Sequence, residues 1–409
     1  MRTLLDLARG LDRRGLAFLG YVTGGHVVIH WYQQIFSVVL PSIKQGLGLS
    51  DVEVGYLQSA RQLTGGTLNL PVGFIADAFA RRQAAILASA LGFMGIGYWA
   101  LGAAPGLAGA LVGAALVGLG TAVWHPPAMG GLSTRFPDRR ATVLAIHGTG
   151  ATIGDTLTPA AVGALLVAFA WQDVLRAQLL PAILAGLLLW WGLAGQFRET
   201  GAPASRRDLA RDVRAIALHP VFMAMSLAQG LMVMARQVIL TFFPLYIQIG
   251  LGRDAFELGI YVALLHGMGT LSQPALGILS DRLGRKAVLV PSYLAVGALY
   301  LFLARVAPGW PLGALVLAIG LFFYTLTNVT SAALLDAAGA RVQASAFGLS
   351  SVVTQVIVLP APVLAGWMVE RWGYEAAFLL AAGFMGLGAL VMVPLRLYQG
   401  SGRTRRYLG

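Results

Sequence analysis

The chain has 409 residues, of which 57% are hydrophobic and 11% are charged, and its mean hydropathy is +0.73. A water-exposed surface needs roughly a quarter of charged residues, so this composition excludes a soluble globular protein. The net charge of +12 would suggest nucleic acid as a partner of a soluble protein, but in this composition no nucleic acid partner is expected. The chain contains no cysteine, which excludes disulfides and thiolate metal sites.

Apolar runs of about 20 residues, the length that crosses the hydrocarbon core of a bilayer, follow one another along the chain. Proline, glycine and charge clusters separate them and predict an all-α membrane protein with twelve transmembrane helices. The predicted ranges are 16–45, 51–76, 83–103, 107–133, 140–168, 173–197, 216–249, 255–280, 287–306, 310–336, 342–369 and 374–396. The first apolar run is too long for a signal sequence, so the first helix is expected to be retained.

A polar segment near the midpoint predicts two halves. Residues 198–215 form the expected cytoplasmic linker between an N-terminal six-helix bundle, 1–197, and a C-terminal one, 216–409. When the loops are assigned alternately to two sides, the side with both termini carries 22 Lys and Arg residues and the other side carries five. The positive-inside rule therefore predicts cytoplasmic termini and a multi-pass protein of the bacterial cytoplasmic (inner) membrane.

The two halves contain an internal repeat. Residues 71–82 read PVGFIADAFARR and residues 274–286 read PALGILSDRLGRK. The aligned pairs are Gly55 with Gly259, Gly73 with Gly277, Asp77 with Asp281, Pro159 with Pro362, and Gly163 with Gly366. A duplicated six-helix unit of this kind predicts a solute site between the halves, near the membrane midplane.

The second copy of the repeat resembles the GxxxDRxGRK loop signature of the major facilitator superfamily. Its residues are Gly277, Asp281, Arg282, Gly284, Arg285 and Lys286. The first copy keeps Gly73, Asp77, Arg81 and Arg82, but has Ala78 and Ala80 at the usual basic and glycine positions. The resemblance implies a contact between the Asp and basic residues that breaks as the halves rock. A loop-stabilising cluster is the other interpretation, and the two are compatible.

Segments of the first half are similar to the fosmidomycin-resistance branch of this superfamily, whose members resemble proton-coupled drug exporters. They are GGHVVIHWYQQ with His26, VWHPPA with His125, and the spacing of Gly150, Gly154 and Pro159. The chain departs from that pattern at His30, where an acidic residue is expected, and at Arg61, in an ordinarily apolar position. The glycines, with Gly148, also resemble an antiporter motif. Close helix packing explains the same spacing.

Two arginines fall inside predicted helices, Arg61 in the second and Arg236 in the seventh. Because a guanidinium offers paired donors that match carboxylate, phosphate or phosphonate oxygens, they predict a fork for an anionic or zwitterionic substrate. The alternative is that either arginine pairs with Asp155 or caps helix carbonyls. That carboxyl lies in the middle of the fifth helix and is the main candidate for reversible protonation.

Histidines complete the candidate site. His26 and His30 lie one turn apart on one helix face, which suits proton relay, anion binding or transition-metal ligation. His30 and His147 are assigned with Asp155 to proton coupling. Near the end of the fourth helix, His125 is expected to have a structural or gating role. The predicted substrate-binding residues are Arg61, Arg236, His26, His30, His266 and Tyr246.

The predicted function is secondary active transport of a small solute by alternating access. The sequence has no Walker A loop, HExxH motif or nucleophile elbow, so neither enzyme activity nor a cofactor is expected. Protons and the bilayer are the expected partners of a monomeric exporter. Transition-metal transport of the copper type is an alternative, because methionines cluster in the seventh helix at Met223, Met225, Met232 and Met234 and histidines accompany them. Cationic drug transport by the same fold is another alternative. A membrane-embedded receptor or enzyme is the competing class.

Overall fold

Every regular element of the described residues is a helix. The computed structural model describes residues 12–197, 217–338 and 343–397, so the predicted linker 198–215 lies outside the described residues. The first half contains α1 (Arg13–Leu47), α2 (Asp51–Thr67), α3 (Asn69–Ala78), α4 (Gln83–Ala103), α5 (Leu107–Arg135), α6 (Arg140–Ala168), α7 (Trp171–Ala177) and α8 (Leu179–Leu193). Short 3₁₀ turns at Ala80–Arg82 and Pro137–Arg139 precede α4 and α6.

The second half follows the same plan. It contains α9 (Pro220–Leu245), α10 (Ala255–Leu283), α11 (Arg285–Phe302), α12 (Trp310–Ala338), α13 (Gln343–Val358), α14 (Ala361–Trp372) and α15 (Tyr374–Met392). A π-helical turn, Tyr246–Gly250, extends α9. The all-α prediction is therefore confirmed for the described residues.

Three predicted helices are interrupted in the structure. The predicted helix 51–76 divides into α2 and α3 at Leu68, 173–197 divides into α7 and α8 at Gln178, and 342–369 divides into α13 and α14 at Leu359 and Pro360. A proline follows each break, at Pro71, Pro181 and Pro362. Proline lacks the N–H that would continue the ladder, and its ring collides with the preceding turn.

Ten helices in the described part of the chain are long and apolar enough to cross a membrane, counting α7 with α8 and α13 with α14. The helices α1 and α2 are not among these ten, since polar residues such as His26, His30 and Arg61 interrupt their apolar sequence. Large apolar side chains are exposed on α8, where Trp191 is 74% accessible, as expected for contact with lipid. This is a multi-pass membrane protein. The count of twelve crossings and the side of the termini remain predictions.

The helices α2 and α10, which correspond in the two halves of the chain, both begin with a side-chain cap. At the start of α2, the Ser50 N–H donates to Glu53 Oε2 at 2.8 Å and the Glu53 N–H donates to Ser50 Oγ at 3.2 Å, which is a capping box. At the start of α10, the Asp254 side chain accepts from the Glu257 N–H at 2.7 Å. Ser50 and Asp254 are separated by the spacing of the repeat, so the same local chemistry starts both helices.

The structure packs into two compact units. Unit 1 contains Met1–Val39 and Ala60–Pro203, and unit 2 contains Leu40–Ser59 and Ala204–Gly409. The end of α1 and the start of α2, residues 40–59, are called the hairpin tip below. Packing therefore assigns the hairpin tip to unit 2, although it belongs to the first half of the chain.

Glycine contacts hold the hairpin tip within unit 2. A Cβ atom added to Gly366 of α14 would lie 2.3 Å from the Asp51 carbonyl oxygen, and one added to Gly55 would lie 2.6 Å from the Pro362 carbonyl oxygen. Lys44 Nζ donates to Asp51 Oδ1 at 2.6 Å, and the Val52 N–H donates to Glu370 Oε1 at 3.0 Å. The close backbone contacts and these hydrogen bonds thus involve the same turns of the hairpin tip.

Replacing Gly366 with Ala should loosen the hairpin tip. The added methyl group collides with backbone, which cannot rotate away as a side chain would, and overpacking of this kind costs about 1–3 kcal/mol. We expect a lower midpoint of thermal unfolding for Gly366→Ala in detergent. The control is Gly383→Ala on α15, where nothing lies within 4 Å of the added Cβ. Equal midpoints for the two variants would contradict the described contact.

Candidate functional site

A cluster of polar side chains lies inside unit 1, among apolar helices. It comprises His26 and His30 of α1, His125 of α5, and His147 and Asp155 of α6. The rings of His26 and His30 are 4.6 Å apart between centroids, as their spacing of four residues on one helix predicts. The structure therefore brings the two histidines predicted on α1 together with the two residues predicted on α6.

Glycines on α6 create this cluster by letting α6 approach α1. A Cβ atom added to Gly150 would lie 2.6 Å from the Thr23 carbonyl oxygen, and one added to Gly154 would lie 2.5 Å from the Val27 carbonyl oxygen. Gly148 has nothing within 4 Å and makes no such contact. Pro159 lies inside the continuous α6. Two of the three glycines in the motif therefore form the helix contact beside Asp155.

Asp155 is almost completely buried, with 4% of its surface accessible. Its Oδ1 atom accepts from His30 Nδ1 at 2.9 Å and from Gln34 Nε2 at 2.8 Å. Gln34 was not identified from the sequence as a site residue. The sequence could have identified Gln34, because residues 26, 30 and 34 follow one another at helical spacing on a single face of α1.

His26 is held by α6 on one side. Its Nδ1 donates to the His147 carbonyl oxygen at 2.8 Å, and its ring stacks on the His147 ring with centroids 3.9 Å apart and planes only 4° from parallel. The Trp124 ring lies nearly parallel to it, with centroids 6.3 Å apart. His26 is therefore fixed in both position and rotation.

His125 belongs to this cluster. Its ring lies 5.6 Å from that of His26 and 6.1 Å from that of His30. Its Nδ1 donates to the Thr121 carbonyl oxygen at 2.9 Å. The structural or gating role expected for His125 stays a prediction; α5 ends at Arg135, close to the predicted end, and its packing places this ring beside α1. Only packing between the helices brings it there.

Arg61 is held by the backbones of two helices. A Cβ atom added to Gly118 of α5 would lie 2.1 Å from the Arg61 carbonyl oxygen, which shows how closely α5 approaches α2. The guanidinium donates to the Gln33 carbonyl oxygen at 3.1 Å and lies 4.7 Å from the centroid of the Phe36 ring. These contacts direct Arg61 toward α1 within unit 1.

Unit 2 contains a second polar group. Arg236 Nη1 donates to Thr327 Oγ1 at 3.1 Å, and its guanidinium lies 5.2 Å from the centroid of the Phe323 ring. His266 packs on the same ring at 5.0 Å and forms a 2.7 Å hydrogen bond with the Tyr324 hydroxyl. Arg236 and His266, both predicted to bind substrate, therefore share Phe323 as a neighbour.

Tyr246, the remaining predicted substrate residue, lies at the start of the π-helical turn. Its ring packs edge-on against Tyr374 at 5.9 Å and Phe378 at 5.4 Å. Both rings belong to α15. The structure thus places Tyr246 in an aromatic contact between two helices of unit 2.

The second loop motif forms a charged network in unit 2. Arg285 donates to Asp281 Oδ1 at 2.5 Å, to Asp336 Oδ2 at 3.1 Å and to Ser280 Oγ at 3.1 Å. Lys286 donates to the carbonyl oxygens of residues 393 and 395, just past the end of α15, where a cation is favoured. A single arginine therefore joins the ends of α10 and α12.

The other residues of this motif shape the turn. Gly284 has φ of +97°, a conformation that side chains rarely adopt, and it ends α10. Arg282 is exposed, and a Cβ added to Gly277 would meet nothing within 4 Å. Glycine at residue 277 is therefore not required by packing among the described residues.

The first loop motif extends from α3 into the following 3₁₀ turn. A Cβ added to Gly73 would lie 3.7 Å from Pro126, which is ordinary contact. Arg81 and Arg82 lie in the 3₁₀ turn, and the Arg82 guanidinium lies 6.0 Å from the Phe79 ring centroid. The side chain of Asp77 lies outside the described part of the chain.

Comparison with known proteins identifies the family. The sequence profile of the Major Facilitator Superfamily matches residues 22–359, with a second match over residues 227–406. The chain belongs to the Major Facilitator Superfamily. It is therefore a membrane transporter, and the family predicted from the loop signature is confirmed.

Individual relatives agree with this family. The chain is 25% identical over 387 residues to the probable sulfoacetate transporter SauU of Cupriavidus necator, covering 87% of each chain. It is 24% identical over 335 residues to the fosmidomycin resistance protein of Escherichia coli, covering 80% of this chain and 79% of the relative. The predicted resemblance to that branch is thereby confirmed.

A solved structure shows the same fold. The bacterial homologue of the human lysosomal transporter Spinster, in an inward-facing and unoccupied conformation, matches with a TM-score of 0.72 and 17% identity. The match covers 94% of this chain and 96% of that chain. This likeness concerns the fold alone.

Replacing Gly154 with Ala should separate α6 from α1. The added methyl group would collide with the Val27 carbonyl oxygen, and we expect a destabilisation of about 1–3 kcal/mol. The midpoint of thermal unfolding in detergent should fall. Gly148→Ala on the same helix is the matched control, and it should be neutral or slightly stabilising because alanine favours helix. A fall of equal size in both variants would contradict the proposed contact.

Proposed function

We propose that the protein is a secondary active transporter that exports a small anionic or zwitterionic organic solute by alternating access, with protons as the coupling ion. The buried polar cluster of unit 1 carries this proposal. Burying an ionisable group in a membrane helix costs about 2.5 kcal/mol or more on insertion scales, so such groups are retained where they serve a solute or ion path. The bacterial cytoplasmic membrane is the proposed location.

The chemistry of the arginines supports an anionic solute. In both units a guanidinium lies over a ring, Arg61 over Phe36 and Arg236 over Phe323. A guanidinium over a ring keeps its positive charge, and the geometry of its N–H donors matches planar or tetrahedral oxyanions. The names of the relatives point to the same class of solute. Sulfoacetate carries a carboxylate and a sulfonate, and fosmidomycin is a phosphonate.

Removing either arginine should weaken transport if the solute is an anion. We expect Arg61→Ala and Arg236→Ala each to raise the KM for the transported anion about 10- to 100-fold, the effect of losing one hydrogen bond to a charged group. The assay is uptake into proteoliposomes, with sulfoacetate and a small phosphonate as probes. Arg61→Lys should recover part of the loss, because it keeps the charge but not the fork.

The control for these variants is Arg253→Ala, which removes an arginine paired with Glu257 at the start of α10. It should transport with an unchanged KM. If Arg61→Ala and Arg236→Ala transported the probes with the same KM as the parent protein, the arginines would not bind the solute. If the parent protein accumulated no probe under any imposed ion gradient, the receptor or enzyme class would be favoured.

The coupling ion is proposed from the buried carboxylate. Asp155 accepts hydrogen bonds from His30 and Gln34 in the interior of unit 1. Asp155→Asn keeps an acceptor oxygen but removes the charge. We expect this variant to lose accumulation driven by an imposed pH gradient while it still exchanges solute between the two sides. Asp173→Asn, at an exposed carboxylate of α7, is the control. Gradient-driven accumulation by Asp155→Asn equal to that of the parent protein would exclude the coupling role.

Alternating access is proposed from contacts that can break and re-form. The hairpin tip is held by Lys44 with Asp51 and by the Val52 N–H with Glu370, and the loop motif is held by Arg285. A hydrogen bond or ion pair of this kind contributes only about 0.5–3 kcal/mol net, so exchanging a few of them between conformations costs little. Export is proposed from the similarity to a resistance protein.

A further inference from the structure

Three histidines in the polar cluster of unit 1 converge on one another. One ring nitrogen from each of His26, His30 and His125 lies within 4.8 Å of the others. His26 and His30 come from one face of α1, and His125 comes from α5. These three residues are called the three-histidine cluster below. Solute binding by the arginines does not require this convergence.

The hydrogen bonds of the cluster fix which nitrogen is available. Nδ1 of His26 contacts the His147 carbonyl oxygen at 2.8 Å, and Nδ1 of His125 contacts the Thr121 carbonyl oxygen at 2.9 Å. A carbonyl oxygen only accepts, so both Nδ1 atoms carry a hydrogen, and in the neutral ring that binds a metal the lone pair lies on Nε2. His30 Nδ1 contacts Asp155 Oδ1 at 2.9 Å, which leaves Nε2 as the metal-binding nitrogen of that ring as well.

This arrangement is the one that surrounds metal-binding histidines in proteins. A histidine that binds a metal through one nitrogen almost always donates from the other to a carbonyl or carboxylate oxygen, which fixes the ring and increases its basicity. All three histidines of the cluster have such a partner, and each partner is a different oxygen. Packing of the rings alone does not require an oxygen acceptor at the Nδ1 atom of all three.

His26 supplies a second observation. Its side chain is buried, with 6% of the residue accessible, and its Nε2 has no hydrogen-bond partner among the described residues. Buried acceptors without a partner are rare in proteins. The His26 ring lies 4.6 Å from the His30 ring and 5.6 Å from the His125 ring between centroids, and an ion shared by the three rings would give this nitrogen a partner.

We propose that His26, His30 and His125 bind a divalent first-row transition-metal ion, with Zn²⁺ as the representative, through their Nε2 atoms. Neutral imidazole suits Zn²⁺, Cu²⁺ and Ni²⁺, whereas Mg²⁺ and Ca²⁺ prefer oxygen ligands. The chain has no cysteine for a thiolate site.

The geometry requires only a small closure. Zinc binds imidazole at about 2.0–2.1 Å, so three ligands of a tetrahedral site lie about 3.4 Å apart. The three nitrogens lie within 4.8 Å of one another, and small movements of His30 and His125 toward the fixed ring of His26 would reach that spacing. Three protein ligands leave a fourth position for water or an anion. Asp155 adds a negative charge beside His30 and partly compensates the ion.

The decisive experiment measures metal binding directly. The full-length protein, purified in detergent with any affinity tag removed and stripped with a chelator, is dialysed against Zn²⁺, and bound metal is counted by elemental analysis. We expect one Zn²⁺ per chain. Co²⁺ should give the intense visible bands of a tetrahedral site, and Zn²⁺ should abolish them by competition.

Variants then test the ligands. Losing the hydrogen-bond partner of a metal ligand typically lowers metal affinity roughly 10- to 100-fold. We expect a loss of Zn²⁺ affinity within that range for Asp155→Asn, and a larger loss for His30→Gln and for His125→Gln, which each remove a proposed ligand. The control is His219→Asn, because His219 caps α9 and asparagine is a good cap. It should bind Zn²⁺ like the parent protein.

Several results would overturn the proposal. One is less than a tenth of an ion per parent chain. Another is a Co²⁺ complex without tetrahedral bands, and this test holds even if the variants fold poorly. The third is Zn²⁺ binding that His30→Gln and His125→Gln leave unchanged. Each measurement is made without transport, so the result is independent of whether an organic anion is carried.

Discussion

The close approach of α6 to α1 is the constraint on which the site of unit 1 depends. Gly150 and Gly154 leave no room for a Cβ atom against the α1 backbone, and Asp155 follows directly on this contact. Because the two backbones touch, the short Asp155 side chain reaches His30 and Gln34 on α1. The same approach stacks His147 on His26. The absence of a Cβ atom at Gly150 and at Gly154 thus determines which polar side chains meet in the apolar interior.

The low dielectric of that interior explains the partners that these residues have. An unpaired polar group costs far more in lipid than in water, so buried polar groups pair with one another or with free backbone carbonyls. Asp155 accepts hydrogen bonds from His30 and Gln34, and Arg61 donates to a carbonyl oxygen and lies over an aromatic ring.

The two copies of the repeat keep the same backbone plan but use different chemistry at their ends. Ser50 and Asp254 start equivalent helices, and glycines bring the hairpin tip and α14 together much as they bring α6 and α1 together. The loop motif of the second half gathers three oxygens around Arg285. In the first half Ala78 and Ala80 stand at two of the signature positions, and the Gly73 contact is loose.

The sequence by itself determined that the chain is embedded in a membrane, that it is helical and which family it belongs to. Hydropathy, the spacing of proline and glycine, and the loop signature are all local patterns. It also determined that His26 and His30 share a face, since helical spacing is local. Tertiary structure alone decided that His125 and His147 join them, because these residues come from helices about 95 and 121 positions away and no local pattern encodes that contact. It also decided which prolines break a helix: Pro71, Pro181 and Pro362 follow interruptions, whereas Pro159 lies inside a continuous one. The cost of a missing hydrogen bond depends on what packs around it, and that is a property of the folded chain.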